Sequence, residues 1–303
     1  MRFSVWPSFQ RPWEEVLHLA LHAEAAGWHG LWYADHFMPD TPDGTPSSEP
    51  ALECWTVLPA LAAATQRLRL GTLVSPTSVR HPAVLAKQAA TADRISDGRV
   101  VLGIGAGWQV NEHRAYGIDL AEPKVRVDRF AEALQVITSL LSEPSTTFEG
   151  AHFRLVDAPC EPKPVQQPLP VMVGTPSPRM MRLTARHAHE WNVWGTPERV
   201  ADRTAAFLAA CEKEGRDPAT VRRSVQALFF LVDDEERAAM IRERAPDDRS
   251  VVGGPEQLVE AIGRYQELGV DEVIVPDFTL GSTAAERQMS YDRFAAEVTA
   301  AFT

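Results

Sequence analysis

Short apolar runs alternate with longer amphipathic stretches from one end of this chain to the other, and nothing else in it constrains the fold as tightly. The runs that read as strands are Arg2–Trp6, Gly30–Tyr33, Leu68–Leu73, Val100–Gly105, Val171–Val173, Glu190–Val193, Ser224–Phe230 and Glu272–Val275. Each is followed by a segment of helical period: Trp13–Ala26, Leu52–Thr65, Pro82–Ser96, Val125–Leu141, Met180–Arg186, Pro197–Glu214, Pro255–Leu268 and Ala284–Ala301. Pro82, Pro197 and Pro255 stand where a first helical turn loses nothing by lacking an N–H. Gly27 and Gly269 follow helices just before a strand, the usual left-handed stop. Eight strand–helix units imply a parallel sheet clothed in helices. An open doubly wound sheet and a closed barrel both satisfy that pattern. The count of eight, the 303-residue length and the lack of a linker favour one α/β domain over 1–303, a (β/α)8 TIM barrel with insertions.

Two segments interrupt the alternation. Asp40–Pro50, rich in Pro, Ser, Thr and Asp, reads as a loop after the second strand. Residues at about 146–170 read as an inserted hairpin and a proline-rich run ahead of the fifth strand. Loops of that size in a compact domain are commonly functional, so both are expected to shape a substrate pocket.

Composition removes several classes of function. A net charge of −11 argues against nucleic acid, which needs a basic surface. No stretch approaches the roughly 20 apolar residues of a membrane span. Cys54, Cys160 and Cys211 are isolated, so neither a disulfide framework nor a zinc site is expected. The first residues run straight into a strand pattern without a signal-peptide core, and a reduced cytoplasm is the expected compartment.

Barrels of this kind carry their chemistry at the C-terminal strand ends. After the second strand, Asp35-His36 sets an acid beside an imidazole able to give or take a proton near neutral pH. The third strand ends in Thr72-Leu73-Val74. The fourth leads into Gly103-Ile104-Gly105-Ala106-Gly107-Trp108, which lacks dinucleotide spacing and instead suits close approach of a flat ring or a neighbouring loop to the backbone. The fifth leads into Gly174-Thr175-Pro176-Ser177-Pro178-Arg179, where helix-start amides, two hydroxyls and Arg179 could hold a phosphate. Trp108 and other tryptophans near strand ends suit a planar apolar ligand, although tryptophan is often only a large core residue. Glu112-His113 is a poor metal pair, because adjacent helical residues diverge and no third ligand is evident.

Several segments, in register, resemble the luciferase-like family of flavin- and coenzyme F420-dependent oxidoreductases. They are residues 24–36 (EAAGWHGLWYADH), 68–74 (LRLGTLV), 80–93 (RHPAVLAKQAATAD), 96–99 (SDGR), 102–108 (LGIGAGW), 161–164 (EPKP) and 269–276 (GVDEVIVP). The resemblance implies a homodimeric barrel with a tricyclic ring against the third strand end, at a non-proline cis peptide that would be Leu73-Val74. It implies that His36 lies near the reacting carbon as a proton donor, with Asp35 a neighbouring ring-contacting acid. Gly174 and Thr175 match the phosphate loop, though the common Gly-Gly is here Gly-Thr, followed by two prolines. Some sugar-phosphate dehydrogenases of the family carry a catalytic Glu directly after the position of Gly107; Trp108 stands there, which argues against that activity. The expected function is hydride transfer between F420 and a small, apolar or aromatic organic substrate. The alternatives are an FMN-dependent monooxygenase using reduced flavin and oxygen, and a non-catalytic flavin-binding barrel.

Overall fold

The structure, a computed structural model, describes residues 1–302. Eight parallel strands form the barrel: β1 (Arg2–Trp6), β2 (Gly30–Tyr33), β3 (Arg69–Thr72), β4 (Val100–Gly105), β5 (Val171–Gly174), β6 (Glu190–Trp194), β7 (Arg222–Gln226) and β8 (Glu272–Pro276). Neighbours pair in chain order. The ring closes where β8 meets β1, from Arg2 opposite Glu272 to Trp6 opposite Pro276.

Helices pack outside and bury an apolar layer against the outward faces of the strands. Inside, Trp6, Trp32, Ala34, Leu73, Val101, Met172 and Ile274 form a second, smaller core. Two glycines make room for it. A Cβ on Gly71 would lie 2.3 Å from the Trp32 ring, and one on Gly103 would lie 1.9 Å from the Thr72 carbonyl oxygen. The lower end of the barrel is plugged by polar groups. Fully buried Glu272 accepts from Ser4 Oγ at 2.6 Å and Trp32 Nε1 at 2.7 Å. Arg69 Nη1 lies 3.6 Å from the same carboxylate and donates to Glu190 Oε2 at 3.2 Å. A buried carboxylate persists only with such partners, and the plug leaves the C-terminal end as the open one.

The expected hairpin is present, Thr146–Glu149 pairing antiparallel with Arg154–Ala158. Elements not foreseen include the helices Val110–Ala115 and Glu235–Arg244 and the strand Ser250–Gly253. The run expected as one strand over Ser224–Phe230 is two. β7 ends at Gln226, and Leu228–Leu231 leaves the barrel to pair in parallel with Ser250–Gly253. A continuous apolar run carries no mark of where one sheet ends and another begins, hence the merged reading. Among the described residues, no helix is long and apolar enough to cross a membrane.

Candidate active site

A cavity of about 970 Å³ opens at the C-terminal mouth, walled by residues from all eight strand ends and the segments that follow them. Its floor on the β3–β5 side is Val74. A Cβ on Gly105 would stand 2.8 Å from Val74 Cγ2, and one on Gly174 would stand 2.9 Å from Val74 Cγ1. These two glycines therefore seat the Val74 side chain between the ends of β4 and β5. Gly107 has φ +89°, and a Cβ there would meet Ser78 Oγ at 2.3 Å. The glycine run thus serves close packing of the β3 and β4 ends, the alternative to a nucleotide fingerprint. The Leu73–Val74 peptide is cis.

His36 stands on the cavity wall with its side chain 17% exposed. Its Nδ1 lies 3.0 Å from Glu112 Oε1, while Glu112 Oε2 accepts the Phe37 backbone N–H at 2.8 Å. A carboxylate only accepts, so Nδ1 carries a hydrogen and Nε2 is the nitrogen left for the cavity. Neutral His36 then offers an acceptor there, and protonated His36 a donor. The ring is edged by Phe9 at 5.6 Å and by Trp108 at 5.7 Å, the latter in a T-shaped arrangement. Glu112 is buried on the helix Val110–Ala115, which begins just beyond Trp108. Sequence reading weighed it only with His113. That histidine faces elsewhere, with Nε2 2.8 Å from Ser78 Oγ and Nδ1 2.7 Å from the Gln109 carbonyl.

The structure sorts the other candidates into two groups. Leu73, Val74, Gly105, Gly107, Trp108, Gly174, Thr175 and Ser177 all line the cavity with His36. Asp35, Thr72 and Arg179 do not. Asp35 is buried behind the wall, accepting from Arg80 Nη1 at 2.6 Å, Arg80 Nη2 at 3.0 Å and Ser75 Oγ at 2.6 Å. Burial pushes its carboxyl above the usual range, against the opposing pull of Arg80 and Ser75. The Ser75 hydroxyl in turn accepts from Trp55 Nε1 at 2.9 Å, so Asp35 ties the ends of β2 and β3 together. Thr72 Oγ1 donates to the Gly103 carbonyl at 2.6 Å, between β3 and β4. Arg179 is half exposed and pairs with Asp128 outside the mouth.

The turn after β5 is poor in free amides. Thr175 N donates to the Asn192 carbonyl at 3.2 Å, Ser177 N donates to Thr175 Oγ1 at 2.9 Å, and Pro176 and Pro178 have none. The turn itself therefore offers an anion hydroxyl groups, and the helix that starts at Pro178 adds a first turn with no side-chain cap. Sequence reading also missed Arg199, Arg203 and Arg249, which line the opposite wall with Asp248. Pro39 and Asp40 bring the loop after β2 to the cavity, whereas no residue of the 146–170 insertion reaches it. The insertion packs instead on helices, as where Glu132 caps the Ala151, His152 and Phe153 amides.

Comparison with known proteins gives a consistent picture. The profile of the luciferase-like monooxygenase family matches residues 1–242. An F420-dependent glucose-6-phosphate dehydrogenase of Amycolatopsis mediterranei is 34% identical over 173 residues, 57% of this chain and 50% of that protein. An F420-dependent hydroxymycolic acid dehydrogenase of Mycobacterium tuberculosis is 31% identical over 218 residues, 72% of this chain and 59% of that protein. The chain thus spans about half the length of the curated relatives it matches. In structure, an F420-dependent secondary alcohol dehydrogenase in complex with an F420-acetone adduct superposes with a TM-score of 0.84 at 20% identity, covering 99% of this chain and 98% of that one.

Proposed function

The chain belongs to the luciferase-like monooxygenase family, and from that premise we propose that it binds coenzyme F420 at the barrel mouth and transfers hydride between it and a small organic alcohol or carbonyl compound. The observation that carries this reading is the His36–Glu112 pair beside the Val74 floor. A flat ring fits there: Val74 is held flush by Gly105 and Gly174, and Leu73 and Trp108 add apolar surface. Thr175 and Ser177 would take part of the cofactor's polar tail. When bound, F420 supplies or accepts the two electrons as hydride, and the protein contributes position and electrostatics.

The chain's own part is a proton. With Nδ1 held by Glu112, neutral His36 accepts a proton at Nε2 from a hydroxyl as an alcohol is oxidised. In reverse, the imidazolium donates from the same atom to the oxygen of a carbonyl as it is reduced. Buried Glu112 fixes the ring's tautomer and orientation, the role a carboxylate plays behind a catalytic histidine elsewhere. Phe9 and Trp108 restrict the ring's swing. The F420-dependent activities named for the curated relatives support the same cofactor.

The test is anaerobic mixing of the protein with oxidised F420 and a panel of alcohols, and with reduced F420 and the matching carbonyls, followed by deazaflavin absorbance. Substrate-dependent interconversion is expected. Turnover seen only with reduced FMN and oxygen would replace this reading with the monooxygenase one.

A further inference from the structure

The charges lining the cavity are segregated. Asp40 and Glu112 come from the β2 and β4 side, whereas Arg199, Arg203 and Arg249 stand together on the β6–β7 side with a single carboxylate, Asp248. Asp248 is shared, its Oδ2 lying 3.4 Å from Arg199 Nη1 and its Oδ1 3.2 Å from Arg249 Nε. Among the described residues Arg203 forms no ion pair with a carboxylate; its Nη1 donates to the Trp194 carbonyl. Burial and the neighbouring Arg199 charge together press the Arg203 guanidinium below its ordinary value. In a chain of net charge −11, three guanidiniums facing one carboxylate inside a cavity form a local excess of positive charge. The Thr196 amide, at the start of the helix that carries Arg199 and Arg203, donates to the Asp248 carbonyl at 3.2 Å and fastens the Arg249 segment beside them.

A second, independent observation lies on the same half of the mouth. Trp6 Nε1 and Gln226 Oε1 are buried without a hydrogen-bond partner, and both residues line the cavity. One is a donor and the other an acceptor, on β1 and β7, the two strands that flank β8. Buried groups of this kind are normally paired, so a ligand atom is the natural partner.

We propose that Arg199, Arg203 and Arg249 form a subsite for an anionic group of the redox substrate, a carboxylate or a phosphate ester, with Trp6 and Gln226 binding a polar group nearer the barrel axis. This rests on the reading above that the substrate reaches His36, on the opposite wall, and it adds an anionic group to the expected apolar or aromatic substrate. Guanidinium groups match both oxyanions by paired hydrogen bonds.

The experiment is calorimetric titration of the F420-loaded protein with inorganic phosphate and, separately, with benzoate, using benzyl alcohol as the uncharged control. The same titrations are run on Arg199→Gln and Arg249→Gln, whose side chains are about half exposed and can change without loss of the fold. Saturable binding of phosphate or benzoate, weakened about tenfold or more in each variant with F420 affinity within twofold of wild type, is the expected result. The stronger of the two ligands identifies the anion. Absence of anion binding, or anion binding unchanged in both variants, overturns the proposal. So does a parallel loss of F420 affinity, because the arginines would then serve the cofactor's tail. If the protein does not take up F420, the titrations are run without it: anion binding lost in the variants still supports the subsite, while the hydride-transfer reading alone fails.

Discussion

Replacing Glu112 by Gln changes one atom and separates positioning from packing. The carboxylate accepts from two donors, His36 Nδ1 at 3.0 Å and Phe37 N at 2.8 Å. An amide has one oxygen. If that oxygen stays on the Phe37 amide, its NH₂ faces Nδ1, the imidazole hydrogen moves to Nε2, and His36 can no longer accept a proton from the cavity. If the oxygen turns to His36, two N–H groups oppose each other at Phe37 in a buried setting. Either way a charge-assisted bond worth about 1.5–3 kcal/mol is lost, which converts to a fall of about 10- to 100-fold in kcat. The volume is unchanged, and Glu112 lies beside His36 without contributing to the Val74 floor, so the F420 dissociation constant should stay within twofold. The assay pairs steady-state turnover of the best alcohol in the panel with an F420 titration of the same preparation. Turnover within twofold of wild type, or turnover and F420 affinity falling together, would refute the reasoning.

His36→Ala should leave F420 affinity within a few-fold and cut turnover by roughly 10²–10⁴, the share of a general acid–base group; unchanged turnover would remove His36 from the mechanism. Gly105→Ala adds a methyl group 2.8 Å from Val74 Cγ2. The Gly174 side is equally tight, so overpacking of about 1–3 kcal/mol should push Val74 into the cavity. F420 binding should weaken about tenfold, and unchanged affinity would show that Val74 is not the floor. His29, at the plugged end, is pushed down to about 4, first by burial and then by the charge of Arg69. Because that lies below its unfolded value, the unfolded chain takes up a proton that the folded one refuses. Stability should therefore be intact above about pH 6.5 and fall as pH drops towards 4, by roughly 1–2 kcal/mol after allowance for partial exposure. Urea unfolding at pH 7 and pH 4.5 should show that loss reduced in His29→Asn, and an identical pH dependence in both proteins would contradict the assignment.

The barrel is legible in the sequence because strand period, helix period and punctuation agree along most of the chain. Seven of the eight strand runs fall within a residue of the observed bounds at each end. Leu68–Leu73 is trimmed by one residue at each end, while Ser224–Phe230 hides a break at Ala227. The helix Glu235–Arg244 buries only Ala238, so its sequence lacks the apolar stripe by which helices are recognised. At the site, position in the chain identified the wall: His36, Val74 and the glycines follow strand ends and line the cavity. What side chains do once there was less legible. Asp35 follows the same strand as His36, yet alternation turns it away from the cavity towards Arg80, 45 residues on. Glu112 is 76 residues from the histidine it holds, a pairing that no local pattern encodes. Arg199, Arg203 and Arg249 come from two separate segments, and among the many arginines of this chain only the fold singles them out.

Hydride transfer at this mouth requires that the slot between His36 and Val74 accept a deazaflavin. Equilibrium titration of the purified protein with F420 and, in parallel, with FMN, read by fluorescence quenching, measures this directly. Saturable F420 binding in the micromolar range is expected, weakened in Gly105→Ala, with FMN bound at least tenfold less tightly. Micromolar FMN binding with no detectable F420 binding would contradict it.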